Sequence, residues 1–163
     1  MSDNFLVFEK LISNRAKATM FLFTKLPSAY FAGVRIKKII RTECVVTIPY
    51  KWFSRNPFGS TYFACLSMAA EMSTGALSMG YIFKRNPSIS MLVVKMESAY
   101  FAKAKGITTF VCNDGDAIAS TIDKAIATGE AQTITAKSTG TGEAGELVAE
   151  MFVTWSFKVR SRS

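Results

Sequence analysis

The chain has 163 residues, 49% of them hydrophobic, which suits one domain over residues 1–163 with a real core. Its formal charge of +8 implies affinity for anions such as nucleic acid, acidic lipid or a phosphorylated ligand. The absence of histidine excludes Ser-His-Asp and Cys-His triads and histidine metal ligands together, leaving acid–base chemistry to a carboxylate, Lys, Tyr or bound water.

Residues 4–25 carry Phe5, Phe8, Ile12, Ala16, Met20 and Phe23 at helical spacing, with Glu9, Lys10, Asn14, Arg15 and Lys17 between them. One amphipathic helix is predicted, capped by Ser2 or Asp3 and ended before Pro27. Such a helix either packs against its domain or lies as a lid beside a ligand site. Glu9 and Lys10 interrupt the apolar run, so a signal peptide is not expected.

Residues 33–40 and 42–50 read as two strands, the second ending at Pro49. Arg35, Lys37, Lys38 and Arg41 form a basic group there. It is either a solvated, charged sheet edge or a contact for phosphates.

The stretch Asn56–Tyr81 organises the rest. Asn56 suits a helix N-cap and Pro57 the first helical position, predicting a helix over about 57–80. Its residues are apolar or small on every side, which describes a helix surrounded by core or by lipid. Its Ser, Thr and Gly content, its central Glu71 and the lack of another spanning segment favour a domain without a membrane span. Between Arg55 and Lys84, Glu71 is the only charged side chain. A buried carboxylate is costly unless protonated or partnered. Glu71 is therefore either a hydrogen-bonded structural group or a general acid or base.

Further on, 90–104 and 107–112 are strand-like, with Gly106 able to break the run. A short helix follows Asp114 or Asp116, with Ile118, Ile122, Ala125 and Ile126 on one face and Gly129 at its end. Residues 131–138 form a weak strand and 147–160 a strong one, where Val153, Trp155, Phe157 and Val159 alternate with polar residues. Gly140–Gly145 matches the dinucleotide pattern G-x-G-x-x-G letter for letter. It lies between two strands rather than opening a helix, so it reads as a hairpin turn. Cys44, Cys65 and Cys112 are odd in number and far apart, so neither a metal site nor a disulfide framework is expected, and a reducing cytoplasm is.

The spacing Asn56-Pro-Phe-Gly59-Ser-x-Tyr62…Ala69-Ala-Glu71, with the later turn Glu143-Ala-Gly-Glu-Leu-Val-Ala149, resembles the hotdog-fold thioesterase superfamily. The likeness is to an uncharacterised branch near the phenylacetyl-CoA thioesterase type and covers most of residues 30–160. It implies an α+β hotdog fold, an antiparallel sheet wrapped around the long central helix, here with an extra N-terminal helix. It also implies a homodimer, or a dimer of dimers, that binds acyl-CoA at the subunit interface without any other cofactor. Glu71 would be base or nucleophile, and Asn56 a polar contact to the thioester or its water. Gly59 and Ser60 would supply helix-start amides to an oxyanion, with Phe58 and Tyr62 beside the substrate. Arg35, Lys37, Lys38, Lys84 and Arg85 are candidates for the CoA phosphates.

Two other functions fit the residues less completely. A hotdog domain could bind an acyl-CoA or fatty acyl group in a pocket of its Phe and Met side chains without turning it over. Lys51-Trp52-Phe53-Ser54-Arg55 could stack nucleic-acid bases.

Overall fold

The computed structural model describes residues 3–160. Helices α1 (Asn4–Ser13), α2 (Arg15–Lys25) and α3 (Pro27–Ala32) precede strands β1 (Arg35–Ile39) and β2 (Cys44–Pro49). A 3-10 turn at Trp52–Ser54 leads to the long helix α4 (Phe63–Ile82). Strands β3 (Ile89–Tyr100) and β4 (Ile107–Cys112), helix α5 (Gly115–Thr128), and strands β5 (Gln132–Thr141) and β6 (Leu147–Val159) complete the domain.

The six strands form one antiparallel sheet in the order β1-β2-β4-β5-β6-β3. The alternation in β6 is realised as expected, with Met151, Val153, Trp155 and Phe157 turned into the core. Helix α4 packs against β1, β2, β4, β5 and β6, and Met91 of β3 reaches the same cavity as Met72 and Gly75 of α4. The sheet thus curls around the helix until its two edge strands, β1 and β3, approach it from opposite sides.

The buried hydroxyls of α4 are satisfied inside this wrap. Ser73 shares a 2.8 Å hydrogen bond with Ser138 of β5, and Ser78 donates to the Thr74 carbonyl. Thr74 donates to the Glu71 carbonyl and accepts the indole N–H of Trp155 at 2.9 Å. Burial of a hydroxyl is tolerable only when it is bonded in this way. Thr74→Val keeps the shape and leaves the Trp155 N–H without its acceptor. A loss of about 1–3 kcal/mol is expected in urea denaturation.

Several boundaries differ from the sequence expectation. The single N-terminal helix breaks at Asn14, whose extended backbone and side chain, accepting from Lys17 N at 3.1 Å, cap a second helix. Pro27 follows the end of α2 at Lys25 as expected, but it also opens the unexpected short helix α3, which Gly33 closes at φ +89°. The long helix begins at Phe63, six residues later than Pro57, and its N-cap Tyr62 makes no side-chain capping bond. Asn56 uses its capping chemistry elsewhere. Its Oδ1 accepts from Phe58 N at 3.0 Å and Ser60 N at 3.2 Å, closing a loop in which Gly59 has φ +73°. The residues with helix-cap grammar build the approach to the helix instead of its start.

The G-x-G-x-x-G segment is a hairpin connection, with Gly142 N donating to Glu146 O at 2.9 Å and Gly145 at φ +83°. Strand β3 ends at Tyr100 rather than 104, and β5 runs on to Thr141. No helix among the described residues is long and apolar enough to cross a membrane.

Candidate functional site

A cavity of about 420 Å³ lies between α1–α2, β1 and α4, with Met91 and Trp155 contributed from the far side of the sheet. Phe8, Ile12, Leu22, Ile36, Met72 and Met79 make most of it apolar. Glu71 enters this space from the middle of α4. Gly75, one turn further along, leaves the carboxylate room: a Cβ there would stand 3.2 Å from Glu71 Oε1 and 3.1 Å from the Trp155 ring.

Among the described residues the Glu71 carboxylate has no hydrogen-bond donor and no ion-pair partner (compare the bonded hydroxyls beside it). Burial pushes its pKa up, and no neighbouring cation counteracts this. A half-buried carboxylate kept weakly acidic in an apolar chamber is poised to take a proton from a substrate or water. Within one protomer no described residue hydrogen-bonds the carboxylate, so a structural role for it would need a partner at a subunit contact.

Arg35, Lys37 and Lys38 line the same cavity from β1. Arg35 is anchored, donating to Tyr30 O at 3.2 Å and Val34 O at 2.7 Å with its guanidinium over the Tyr30 ring. Lys38 pairs with Glu43 at 2.8 Å. Lys37 falls in a β-bulge between Ile36 and Lys38, is exposed, and has no carboxylate partner among the described residues. The bulge is what lets consecutive basic residues border one opening on a strand whose side chains would otherwise alternate.

Lys84 and Arg85 sit apart, past the C-terminal end of α4. Arg85 is paired with Asp123 of α5, and the Lys84 ammonium lies 5.4 Å from the Phe83 ring centre. Neither lines the Glu71 cavity.

Asn56, Phe58, Ser60 and Tyr62 gather around a second hollow of about 580 Å³, bordered by Phe63, Leu66 and Tyr100–Ala104. Within one protomer this hollow and the Glu71 cavity share no lining residue. Gly59 and Ser60 precede the helix, so the expectation that they are its first amides is corrected: those belong to Phe63 and Ala64. Ser60 is instead held in the loop, accepting from Asn56 Nδ2 at 3.1 Å.

Arg15, Gly75, Met91 and Trp155 join the site without having been expected in it. The alternation in β6 places Trp155 on the core face, yet nothing local ties it to Glu71; Arg15 and Met91 come from elements that only the tertiary fold brings near. Among the described residues no group of three or more His, Cys, Asp or Glu side chains could hold a metal ion. The three cysteines are free and buried, and burial raises the thiol pKa of each.

Residues 15–157 match a family described as a domain of unknown function, DUF4442. No curated protein matches the chain. Among solved structures it is similar to a Pseudomonas aeruginosa protein of unknown function described as a probable thioesterase, at 20% identity and a TM-score of 0.76 over 89% of this chain and 96% of that one. It is similar also to a protein of unknown function from Chlorobaculum tepidum, at 17% identity and a TM-score of 0.77 over 97% and 98% of the two chains. A thioesterase family protein from Silicibacter pomeroyi aligns at 15% identity and a TM-score of 0.61, over 89% of this chain and 98% of that one. These likenesses show the fold, an α+β hotdog, as the motif resemblance implied.

Proposed function

Since the chain belongs to the DUF4442 family and has the hotdog fold of thioesterases, we propose that it hydrolyses an acyl-CoA thioester with Glu71 as the catalytic carboxylate. The observation that carries this is the Glu71 carboxylate, unpartnered among the described residues, inside a largely apolar cavity with a basic wall on β1. The acyl chain would occupy the space among Ile12, Leu22, Met72 and Met79, while Lys37 and its basic neighbours on β1 meet the CoA phosphates at the opening. Glu71 takes a proton from water, the resulting hydroxide attacks the thioester carbonyl, and the C–S bond breaks as Glu71 returns the proton to the leaving thiolate, releasing CoA and a carboxylic acid. Direct attack by the carboxylate, through an anhydride that water then cleaves, satisfies the same geometry.

A homodimer completes the site. Strand β3 presents a free edge twelve residues long, with Leu92 65% and Val94 52% exposed. Two such edges paired antiparallel about a two-fold axis set the Tyr100 end of one copy beside the Ile89 end of the other. That arrangement carries the Asn56–Tyr62 hollow, bordered by Tyr100, toward the partner's Glu71 cavity, bordered by Met91. Asn56 and the Phe63 and Ala64 amides would then serve the carboxylate of the second copy, where the start of α4 favours a developing oxyanion.

The test is release of free CoA from acyl-CoAs of short, long and aromatic acyl groups by the wild-type protein. Mixing inactive Glu71→Gln and Asn56→Ala proteins should restore activity that neither has alone, because mixed dimers contain one intact site. Wild-type protein that binds these ligands without turnover, and binds them equally after Glu71→Ala, would make this a non-catalytic acyl carrier.

A further inference from the structure

Residues 10–55 carry ten Lys and Arg side chains against a single acid, Glu43, while the remainder of the chain has ten basic and eleven acidic residues. The whole positive surplus therefore belongs to the N-terminal helices, the first two strands and the turn that follows. This same region holds a band of exposed apolar side chains. Trp52 is 76% exposed, Met20 62%, Phe53 52%, Phe23 51% and Phe31 49%. The rings form one continuous row, with centroids 6.3 Å apart for Phe23–Phe31, 6.0 Å for Phe31–Phe53 and 6.3 Å for Phe53–Trp52. A contiguous apolar patch of this kind marks an interaction surface, since single exposed apolar residues are ordinary but a row of them is not.

We propose that the face formed by α2, α3 and the Trp52–Ser54 turn docks on an anionic phospholipid surface. Lys17 and Lys25 on α2 and Lys51 and Arg55 beside the turn are exposed. None of the four is in an ion pair among the described residues. Aromatic rings between free basic groups suit the boundary of a bilayer, where rings settle among headgroups and cations meet lipid phosphates. A second copy of the chain is a poor occupant, because a two-fold contact sets this basic face against itself. A nucleic-acid strand could stack on the rings but leaves Met20 and the outer side of α2 uncovered. Lipid covers both. Arg15 and Thr19 line the outer groove beside Phe23 and also the wall of the Glu71 cavity, so docking lays one wall of the cavity against the lipid. The proposal goes beyond thioester hydrolysis and holds whether or not Glu71 turns substrate over.

The experiment is co-sedimentation with vesicles of equal parts phosphatidylglycerol and phosphatidylcholine, with pure phosphatidylcholine as control and no acyl-CoA present. Wild-type protein should bind the mixed vesicles alone, with a blue shift in emission that is absent in Trp52→Phe. Lys17→Glu with Lys25→Glu should weaken binding by about tenfold or more, and Trp52→Ala with Phe53→Ala by a similar factor. Lys124→Glu with Lys158→Glu, on α5 and β6, should leave it nearly unchanged. Several results overturn the proposal: no binding to the mixed vesicles, equal loss in the α5–β6 control, or displacement of the vesicles by a single-stranded oligonucleotide that binds more tightly. Conversion of a dimer to a monomer by Trp52→Ala with Phe53→Ala would do the same, assigning the face to a second copy.

Discussion

Glu71→Gln is expected to lower acyl-CoA turnover by about a thousandfold, the scale of losing a positioned general base, while leaving the protein folded. The sign of the stability change separates a catalytic from a structural carboxylate. Burial raises the folded-state pKa of Glu71 above its unfolded value, so between those values the folded state holds the extra proton. Stability contributed by the protonated form is therefore present below the unfolded pKa and is lost as pH rises through the folded one. At neutral pH the charged group is a burden on the fold, and Gln removes it. The variant should melt at the same temperature as wild type or higher at neutral pH, and the difference should vanish on acidification. The pH profile of kcat/KM should rise through a midpoint above the ordinary glutamate range as the base becomes available. A variant that melts well below wild type at neutral pH would instead assign Glu71 to holding the helix in place.

Gly115→Ala, at the buried start of α5, is expected to be strongly destabilising. Gly115 starts α5 against the turn between β1 and β2, where its N–H donates to Thr42 O at 3.3 Å. A Cβ there would stand 1.9 Å from the Arg41 carbonyl oxygen and 2.7 Å from Thr42 Cα. Both neighbours are backbone, so no side-chain rotation relieves the clash. The same Arg41 carbonyl accepts the Tyr81 hydroxyl of α4 at 2.8 Å, and pushing the turn away breaks that bond as well. A cost of about 3 kcal/mol is expected, seen as a melting temperature lower by roughly 10 °C. An unchanged melting temperature would mean that the turn yields freely.

What the sequence makes legible here follows period and composition. The uniform apolar character of α4 announces a surrounded helix, and the period of two in β6 announces a sheet with one buried face. The hairpin at Gly142–Gly145 follows from the strand that comes after it. The helix boundaries are less legible because Asn has one chemistry and several uses. At Asn14 its side chain caps an unexpected second helix, and at Asn56 it closes a loop where a helix start was expected. Local grammar cannot choose between these outcomes; the path of the chain into the sheet does. The candidate site is split in the same way. Glu71 stands out as the lone charge of its helix, and Arg35, Lys37 and Lys38 as a basic run. That they border one cavity, while Lys84 and Arg85 do not, depends on how the sheet curls around α4. The separation of Asn56 from Glu71 within one protomer is likewise a tertiary fact with no local signature.

The register of the sheet has a dynamic consequence. Strands β4 and β5 meet over only three residue pairs, Thr109↔Thr141 to Val111↔Thr139, whereas β5–β6 and β6–β3 are paired almost along their full lengths. The β-layer is thus two well-knit halves, β1-β2-β4 and β5-β6-β3, joined by a narrow seam. Opening at the seam would release the first half without unfolding the second, so backbone amides of β1 and β2 should exchange with deuterium sooner than those of β6. The Glu71 cavity straddles that division, with Ile36 and Ile39 from one half and Met91 and Trp155 from the other. Any molecule lodged there acts as a rivet, and occupancy should slow exchange across the first half of the sheet in proportion to its affinity.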